Sequence, residues 1–303
     1  MSKYIIGGGI AGLIAAYYNK EYKIISQDIG GQMVSKNVGP RILEVNQYSK
    51  EFLNDLGIKE CPIKIAKIGY KVEGKLVNSI SEDLRKKYYI KSRCLHTAAI
   101  VPSSIMSDGK SFIEYFDIDW DKVVSILVNS IEKPINGKVS LIDTTNHILK
   151  VESDGSEILR YDSLVSTIPA PVFFKISNLQ PEQELKYVQK VFVVMNEDQI
   201  DFGEFDYIYF PDSAHGYHRI SKTGNGKASI EYTTNKSYKS IIQTWSMYSR
   251  EHHVIPVGQI QSGKVQEIND ILFLGRYASW DHDIKTDDIV KICRDGGLIN
   301  AKR

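Results

Sequence analysis

A glycine-rich turn close to the start of the chain constrains its fold more than any other feature. A short apolar strand leads directly into Gly7-x-Gly9-x-x-Gly12, and a helix-forming segment follows at once. In such a unit the first glycine permits a sharp turn, the second lets the backbone approach a pyrophosphate, and the third lets the helix pack closely on the strand. Phosphate oxygens bind N–H groups at the positive end of the helix dipole. The motif predicts a bound dinucleotide, the alternative being a turn that is merely rich in glycine.

The composition is ordinary for a globular protein, and it bounds the classes of function. The 303 residues exceed a single small core, so one large domain or two interleaved domains are expected. The 38 basic and 37 acidic side chains give a net charge of +1, which argues against an intrinsic nucleic-acid-binding surface but leaves a local basic groove open. Cys61, Cys94 and Cys293 are widely spaced, so free thiols are expected rather than a zinc site or disulfides. With no secretory signal and no spanning segment in the sequence, we predict a cytoplasmic protein without membrane contact.

Hydrophobic periodicity predicts helices and strands along the whole chain. The expected helices cover residues 10–19, 47–57, 81–89, 121–131 and 238–250, and a last one begins near Thr286, a candidate N-cap. The expected strands cover residues 3–6, 23–26, 63–79 with a turn at Glu73-Gly74, 138–143, 148–153 with a turn at Asp154-Gly155, 165–168, 187–195, 205–210, 227–233 and 271–276. Residues 91–115 are expected to form loops and short helices over a pocket. No linker separates these elements, so interwoven domains are expected.

Three further features favour FAD over NAD as the dinucleotide. Gly30-Gly31-Gln32 follows the second strand almost immediately, where a longer flavin cofactor has to pass more backbone. The strand that ends at Ile168-Pro169 looks buried. Leu274-Gly275-Arg276 ends the last strand with a cation whose planar fork suits phosphate oxygens. A plain NAD dehydrogenase remains the alternative if the first motif is read alone.

Taken in order, these motifs resemble the FAD-dependent amine oxidoreductase superfamily, and within it the UDP-galactopyranose-mutase-like flavoproteins. The motifs are Gly7-Gly8-Gly9-Ile10-Ala11-Gly12-Leu13, Gly30-Gly31, Gly39-Pro40-Arg41, Ser166-Thr167-Ile168-Pro169 and Leu274-Gly275-Arg276-Tyr277. The resemblance implies an α/β fold in which a Rossmann-type FAD-binding domain is interleaved with a mainly sheet-based substrate domain. It assigns residues 1–60, 122–175 and 258–303 to the first domain, and residues 61–121 and 176–257, most of which match the family poorly, to the second.

The same resemblance implies a set of FAD-binding residues. Those that would contact the pyrophosphate lie at the glycine turn and after the last strand: Gly7, Gly9, Ile10, Ala11, Gly12, Gly275 and Arg276. Those that would run beside the ribityl chain and the flavin are Gly30, Gly31 and Gln32. Val139 would lie on the strand whose backbone pairs with adenine. The turn that contains His282, Ile284 and Lys285 would place N–H groups near the flavin pyrimidine carbonyl.

The chain departs from the family pattern at the adenosine ribose. The second strand of such proteins usually ends in an acidic residue that holds the ribose hydroxyls. Asp28 is the candidate here, while Gln27 or Ser26 could make a neutral hydrogen bond instead. The alternative is that Asp28 only caps a turn.

Four side chains are candidates for catalysis or substrate binding: Arg219, His282, Trp280 and His96. A similar His/Thr–Arg pair enters the substrate pocket of mutase-like flavoproteins, which implies a role for Arg219 in binding an anion or the substrate. Its alternative is a surface salt bridge, with Glu231 as a candidate partner. Trp280 and His282 are candidates to wall the flavin, against simple loop packing. His96 is a candidate acid or base, against a structural histidine.

No metal site is predicted. Asp117, Asp119 and Asp121 alternate around apolar residues, and metal ligation would need convergent geometry and further ligands. We expect a solvated face and a helix cap instead.

The resemblance implies an oxidoreductase that oxidises an amine-type substrate by hydride transfer to the flavin N5 atom. The substrate would be a small molecule, and an amine attached to a larger carrier is included. The first alternative is a mutase-like isomerase of a sugar nucleotide, although no second arginine suited to a diphosphate stands out beside Arg219. The next is a non-enzymatic flavin-binding or redox-sensing protein. The electron acceptor and the oligomeric state stay open.

Overall fold

The computed structural model describes residues 2–33, 42–95, 111–212, 214–224, 226–249, 251–296 and 298. Its α-helices are α1 (Ile10–Tyr18), α2 (Gln47–Asp55), α3 (Glu82–Ser92), α4 (Trp120–Asn129), α5 (Ala170–Ser177), α6 (Lys239–Trp245) and α7 (Thr286–Lys291). Its strands are β1 (Lys3–Gly9), β2 (Tyr22–Gly30), β3 (Leu43–Glu44), β4 (Ile63–Val72), β5 (Lys75–Val77), β6 (Phe112–Phe116), β7 (Ile135–Asn136), β8 (Lys138–Asp143), β9 (Ile148–Glu152), β10 (Ser156–Arg160), β11 (Ser163–Ser166), β12 (Lys186–Asn196), β13 (Tyr207–Tyr209), β14 (Arg219–Gly224), β15 (Lys227–Thr234), β16 (Glu251–Ser262) and β17 (Ile271–Phe273). Together they build a mixed α/β fold with several sheets.

The first sheet is parallel throughout and has the strand order β17-β11-β1-β2-β7. Alternate residues of β1 and β2 enter two different cores: Ile5 and Ile24 pack with α1, whereas Ile6 and Ile25 pack with α5 and β8. Both faces are therefore covered, which is why these strands are short continuous apolar runs. The predicted strand–helix–strand start is confirmed, although β2 continues to Gly30 rather than ending at residue 26.

A smaller antiparallel sheet, β10-β9-β8, packs against the second of these cores. Val139 on β8 pairs with Val151 on β9, and both side chains are buried. Strands β9 and β10 are joined across residues 153–155, which confirms the predicted turn at Asp154-Gly155.

The largest sheet has the order β16-β12-β15-β14-β13-β4-β6-β3, and β5 pairs with β4. Alternate residues of its central strands face opposite sides, as the strand period of two requires. Val191, Ile208 and Ile230 pack into an apolar core, whereas Lys190 and Arg219 line a cleft. The hairpin at Glu73-Gly74 is confirmed.

Loops and short helices were expected over residues 91–115, and this prediction is wrong for the last residues of that range. Residues Phe112–Phe116 form β6, which pairs with β4 on one side and with β3 on the other. The strand is set by these long-range partners, since a five-residue segment carries little period of its own.

The two predicted N-caps have different outcomes. Asp119 caps α4, and its carboxylate accepts hydrogen bonds from two N–H groups of the first turn. Thr286 is wrong as an N-cap, because it is the first residue of α7. Lys285 is the N-cap, and its backbone N–H donates to the Asp288 carboxylate at 2.8 Å.

The helix predicted over residues 238–250 is shorter in the structure. It ends at Trp245, whose carbonyl accepts hydrogen bonds from the N–H groups of Tyr248 and Ser249. The chain turns there and enters β16 at Glu251.

The predicted domain boundaries divide the large sheet at two places. Strand β3 falls within residues 1–60 but pairs in the large sheet, and β16 crosses the boundary between residues 257 and 258. The division into two domains therefore stays a prediction. In the part of the chain that the structure describes, no helix is long and apolar enough to cross a membrane.

Candidate active-site cleft

Two of the three glycines in the first turn are required by the packing of the chain itself. Gly7 has φ +107°, and a Cβ there would lie 2.5 Å from Thr167 Oγ1. That hydroxyl contacts the carbonyl oxygens of Ile6 and Gly7 at 2.9 and 3.1 Å. A Cβ on Gly12 would lie 2.0 Å from the Gly7 carbonyl oxygen. Gly7 thus permits the sharp turn, and Gly12 permits the close approach of α1 to β1.

Gly9 differs from both, since the space in front of it is open. It is the N-cap of α1, has φ −70° and makes no side-chain cap. A Cβ on Gly9 would meet no described atom within 4 Å. The first turn of α1 has no acidic residue that would compete for its N–H groups. Open space before an uncapped helix N-terminus can accommodate a phosphate group.

The other predicted glycine motifs converge on this turn. Gly9 and Gly30 lie opposite each other on β1 and β2, and a Cβ on Gly31 would lie 3.1 Å from Gly9 Cα. Gly275 has φ +97°, and a Cβ there would lie 3.1 Å from Ala11 Cβ in the first turn of α1. Motifs from both ends of the chain therefore meet at one helix N-terminus.

A cleft of about 360 Å³ opens beside Arg276, the residue after Gly275. Its charged lining consists of Lys190, Arg219, Arg276, Lys285, Glu44 and Asp287. Aromatic and aliphatic side chains complete the wall: Phe192, Tyr207, Tyr209, Tyr277, Ile42, Leu43, Ile113 and Ile255. The cleft is bounded by the large sheet and by the segment that follows β17.

The cations of this cleft have different partners. Lys285 Nζ pairs with Glu44 at 2.7 Å. Arg276 Nε donates to the Ile284 carbonyl oxygen at 3.3 Å, and within the described residues Arg276 forms no ion pair. Its guanidinium therefore keeps donors for a ligand.

Arg219 belongs to a buried ionic cluster. Glu231 is 1% exposed, and its carboxylate contacts Arg219 Nη2, Lys190 Nζ at 2.7 Å and His218 Nε2 at 3.6 Å. Burial opposes the ionisation of Glu231, but the charges of Arg219 and Lys190 outweigh it and lower the carboxyl pKa. The ion pair with Glu231 that was considered for Arg219 is therefore present, but it is buried rather than at the surface, and the contact of Arg219 with an anion or substrate stays a prediction.

His282 lies in the same region and is held neutral. Burial first, and then the charges of Arg93, Arg276, Lys190 and Arg219, lower its pKa far below 6.5. Its Nε2 lies 3.3 Å from Gln259 Nε2, and the neutral ring accepts this hydrogen bond. His282 is therefore not an imidazolium acid at neutral pH, and its predicted contact with a flavin stays a prediction.

Trp280 packs in the protein core. It is 4% exposed, its indole N–H donates to the Ser262 carbonyl oxygen at 2.9 Å, and its ring meets Tyr187 edge-to-face. Trp280 is not among the residues that line the cleft. The structure favours packing over the predicted role as a wall of the flavin.

The ribose and adenine assignments stay predictions. Gln27 and Asp28 are both exposed on β2, and Ser26 Oγ donates to the Asp28 carbonyl oxygen at 2.7 Å. Val139 is buried on β8, next to the parallel sheet.

Some predicted site residues cannot be placed or are already engaged. His96 and the Gly39-Pro40-Arg41 motif lie outside the described residues, as does the side chain of Gln32. The backbone N–H of Lys285, which was expected to face the flavin pyrimidine, already donates to Asp288. The expected contact of this turn with the flavin pyrimidine stays a prediction.

Sequence analysis missed two cations of this region. Lys190 stands in the middle of the strand-like run of residues 187–195, and a charge within such a run is the signal that could have found it. Arg93 is 4% exposed, and its guanidinium lies 4.2 Å from the centroid of the Tyr89 ring. No pattern in the sequence distinguishes Arg93 from a surface arginine at the end of α3.

The two buried histidines predict a loss of stability in acid. Burial lowers the pKa of His218 to about 3, and that of His282 falls as well, so the unfolded chain binds two more protons below pH 6.5. Stability therefore falls as the pH falls through 6.5, by up to about 1.4 kcal/mol per pH unit for each histidine. Because the histidines of the unfolded chain are already half protonated at pH 6.5, we expect urea unfolding at about pH 4.5 to give a free energy roughly 4–5 kcal/mol below that at pH 6.5. His282→Gln should reduce this difference, and an equal difference in the variant would contradict the assignment.

Comparison with solved structures identifies the fold of this chain. No family model matches the sequence, and no curated protein matches it. Among solved structures, reduced UDP-galactopyranose mutase superimposes with a TM-score of 0.70 at 12% identity, covering 99% of this chain and 95% of the other. This chain has the fold of UDP-galactopyranose mutase. The resemblance read from the sequence motifs is thus confirmed at the level of fold.

Other proteins share the mutase fold. A fatty acid isomerase from P. acnes gives a TM-score of 0.65 at 14% identity, with 96% of each chain covered. Putrescine oxidase bound to putrescine gives 0.60 at 11% identity, with 100% of this chain and 99% of the other covered. Isomerases and an oxidase therefore share the fold, which by itself does not select a reaction.

Proposed function

We propose that this chain is an FAD-dependent flavoenzyme whose parallel sheet is a Rossmann-type cofactor domain. The observation that carries the proposal is the open space before Gly9, at the uncapped N-terminus of α1 and beside Gly31 and Gly275. The N–H groups of α1 would bind the pyrophosphate, and the guanidinium of Arg276 would offset its charge. When bound, FAD accepts or returns a hydride at its ring. The mutase fold supports the same cofactor.

We further propose an oxidoreductase that acts on a small substrate with a negatively charged group. Beside Arg276, which is assigned to the cofactor, two further cations line the cleft next to the glycine turn, Lys190 and Arg219. A positive cleft repels a free diamine and attracts an anion. The amine-type substrate expected from the sequence is therefore narrowed to an amine that also carries a carboxylate or phosphate. The cations would orient that group, and the aromatic wall would exclude water from it.

A mutase-like isomerase of a sugar nucleotide is the second candidate. Sequence analysis found no second arginine suited to a diphosphate, but Lys190 lines the cleft next to Arg219. The Lys190 side chain supplies the additional positive charge that a diphosphate requires. This observation favours the isomerase over a non-enzymatic flavin protein.

A visible spectrum of the purified protein, followed by anaerobic titration, tests these proposals. We expect the absorption of oxidised flavin, and bleaching by amino acids but not by putrescine. Turnover of a UDP-sugar only after reduction with dithionite would select the isomerase. A colourless protein that does not take up added FAD would overturn the flavoenzyme proposal.

A further inference from the structure

Glu231 lies behind the wall of the cleft, between two strands that each carry a cation. It is opposite Arg219 in the β14–β15 pairing and opposite Phe192 in the β12–β15 pairing. Lys190 is two residues from Phe192 along β12 and therefore shares its face. Both neighbouring strands thus direct a cation at the same carboxylate.

The carboxylate is hidden, whereas both cations reach the cleft. The Glu231 side chain is 2% exposed, compared with 15% for Lys190 and 19% for Arg219. One carboxylate oxygen is 2.7 Å from Lys190 Nζ, and the other bonds Arg219 Nη2. A single negative charge is therefore shared by two cations, which leaves the cluster positive.

His218 completes the cluster without adding charge. Its Nε2 is 3.6 Å from the oxygen that Lys190 contacts, and its Nδ1 is 3.4 Å from the Tyr88 hydroxyl. Because burial lowers its pKa to about 3, the ring is neutral at neutral pH. Among the members of this cluster, Glu231 alone thus supplies a negative charge to the two cations of the cleft wall.

We propose that Glu231 is a positioning residue that fixes Lys190 and Arg219 in the cleft wall and keeps Lys190 protonated to bind an anionic substrate. Arginine retains its proton in proteins, whereas a buried lysine can lose it. The charged groups that act on Lys190 are Glu231, Arg219 and Arg276. Burial above all, together with the charges of Arg219 and Arg276, lowers the pKa of Lys190, and of the three charged groups only Glu231 raises it. The role in substrate binding rests on the proposed function, but the effect on Lys190 does not.

Glu231→Gln isolates this effect, because the amide has the size of the carboxylate and lacks its charge. Two buried cations would then face each other without a counter-charge. Lys190 is the partner that can respond, and it would release its proton at a lower pH.

The test is acetylation of the purified protein with acetic anhydride from about pH 6 to about pH 10, read for each lysine by mass spectrometry. We expect the pH midpoint for Lys190 to fall by at least about one unit in Glu231→Gln, and to return towards wild type in Glu231→Asp. The matched control is Glu184→Gln, which removes the exposed partner 3.0 Å from Lys186 Nζ on the same strand. In this control the acetylation midpoint of Lys186 should hardly move, because ion pairs between exposed side chains are weak.

An unchanged Lys190 midpoint in a folded Glu231→Gln variant would overturn the proposal. If that variant does not fold, Arg219→Met tests the same balance of charges around Lys190, and the midpoint is expected to shift in the opposite direction. Removal of the competing cation should raise the Lys190 midpoint, and an unchanged value would again overturn the proposal. The labelling needs neither flavin nor substrate. A colourless protein would therefore contradict the proposed function alone, and a yellow protein with an unmoved midpoint would contradict this inference alone.

Discussion

Replacing Gly9 by valine is expected to give a folded protein that has lost FAD. A Cβ on Gly9 meets no described atom within 4 Å, and φ −70° suits any L-residue, so the described part of the chain leaves room where the side chain begins. The valine would instead occupy the space assigned to the pyrophosphate. We expect FAD affinity to fall by at least about 100-fold, equivalent to about 2.7 kcal/mol. The measurements are the flavin-to-protein absorbance ratio as purified and an FAD titration of the apoprotein.

Two other glycines make this result interpretable. Gly155→Ala also enters open space but lies in the turn before β10, so it should retain the cofactor. Gly12→Val should instead damage the fold, because its Cβ would lie 2.0 Å from a backbone oxygen. Wild-type FAD affinity in Gly9→Val would mean that no phosphate lies at the start of α1, and the proposed function would lose its main support.

Glu231→Ala is expected to cost roughly 3–5 kcal/mol of unfolding free energy, the range found when one partner of a buried ion pair is removed. The variant leaves Lys190 and Arg219 next to each other with no carboxylate between them. Urea unfolding at pH 7, followed by circular dichroism, measures the loss.

Lys190→Met in the Glu231→Ala background separates charge from packing. It removes one of the two unpaired cations and leaves a side chain of similar length, so it should recover part of the lost stability. Glu184→Ala, at an exposed pair, should cost less than about 1 kcal/mol. If the double variant is less stable than Glu231→Ala alone, the cluster is held by packing rather than by charge.

Local signals predicted the glycine turn after the first strand well. The positive φ of Gly7 and the contact of Gly12 with the Gly7 carbonyl are local, so the motif specified strand, turn and helix, although Gly7 also packs against the distant Thr167. The hairpin at Glu73-Gly74 and the cap at Asp119 were equally local, and both are present. Such features depend on backbone conformation and nearby hydrogen bonds, which a sequence reports directly.

The cleft could be predicted only in part, because its charges are brought together by strand pairing. Sequence analysis singled out Arg219 and Arg276, but it could not show that they share a cleft with Lys190. Lys190 comes from β12, and Arg276 comes from the segment after β17. Their proximity is fixed by the order of strands in two sheets, and no spacing in the sequence encodes that order. The short strand β6 was missed for the same reason, since both of its partners are distant along the chain.

The parallel sheet joins the two ends of the chain, with β11 between β1 and β17. Gly275, just past β17, packs against Ala11 in the first turn of α1, so the glycine turn after β1 is covered by a segment from far along the chain. A deletion that removes β17 and α7 would therefore expose the first turn of α1, although the chain between these segments builds the other two sheets.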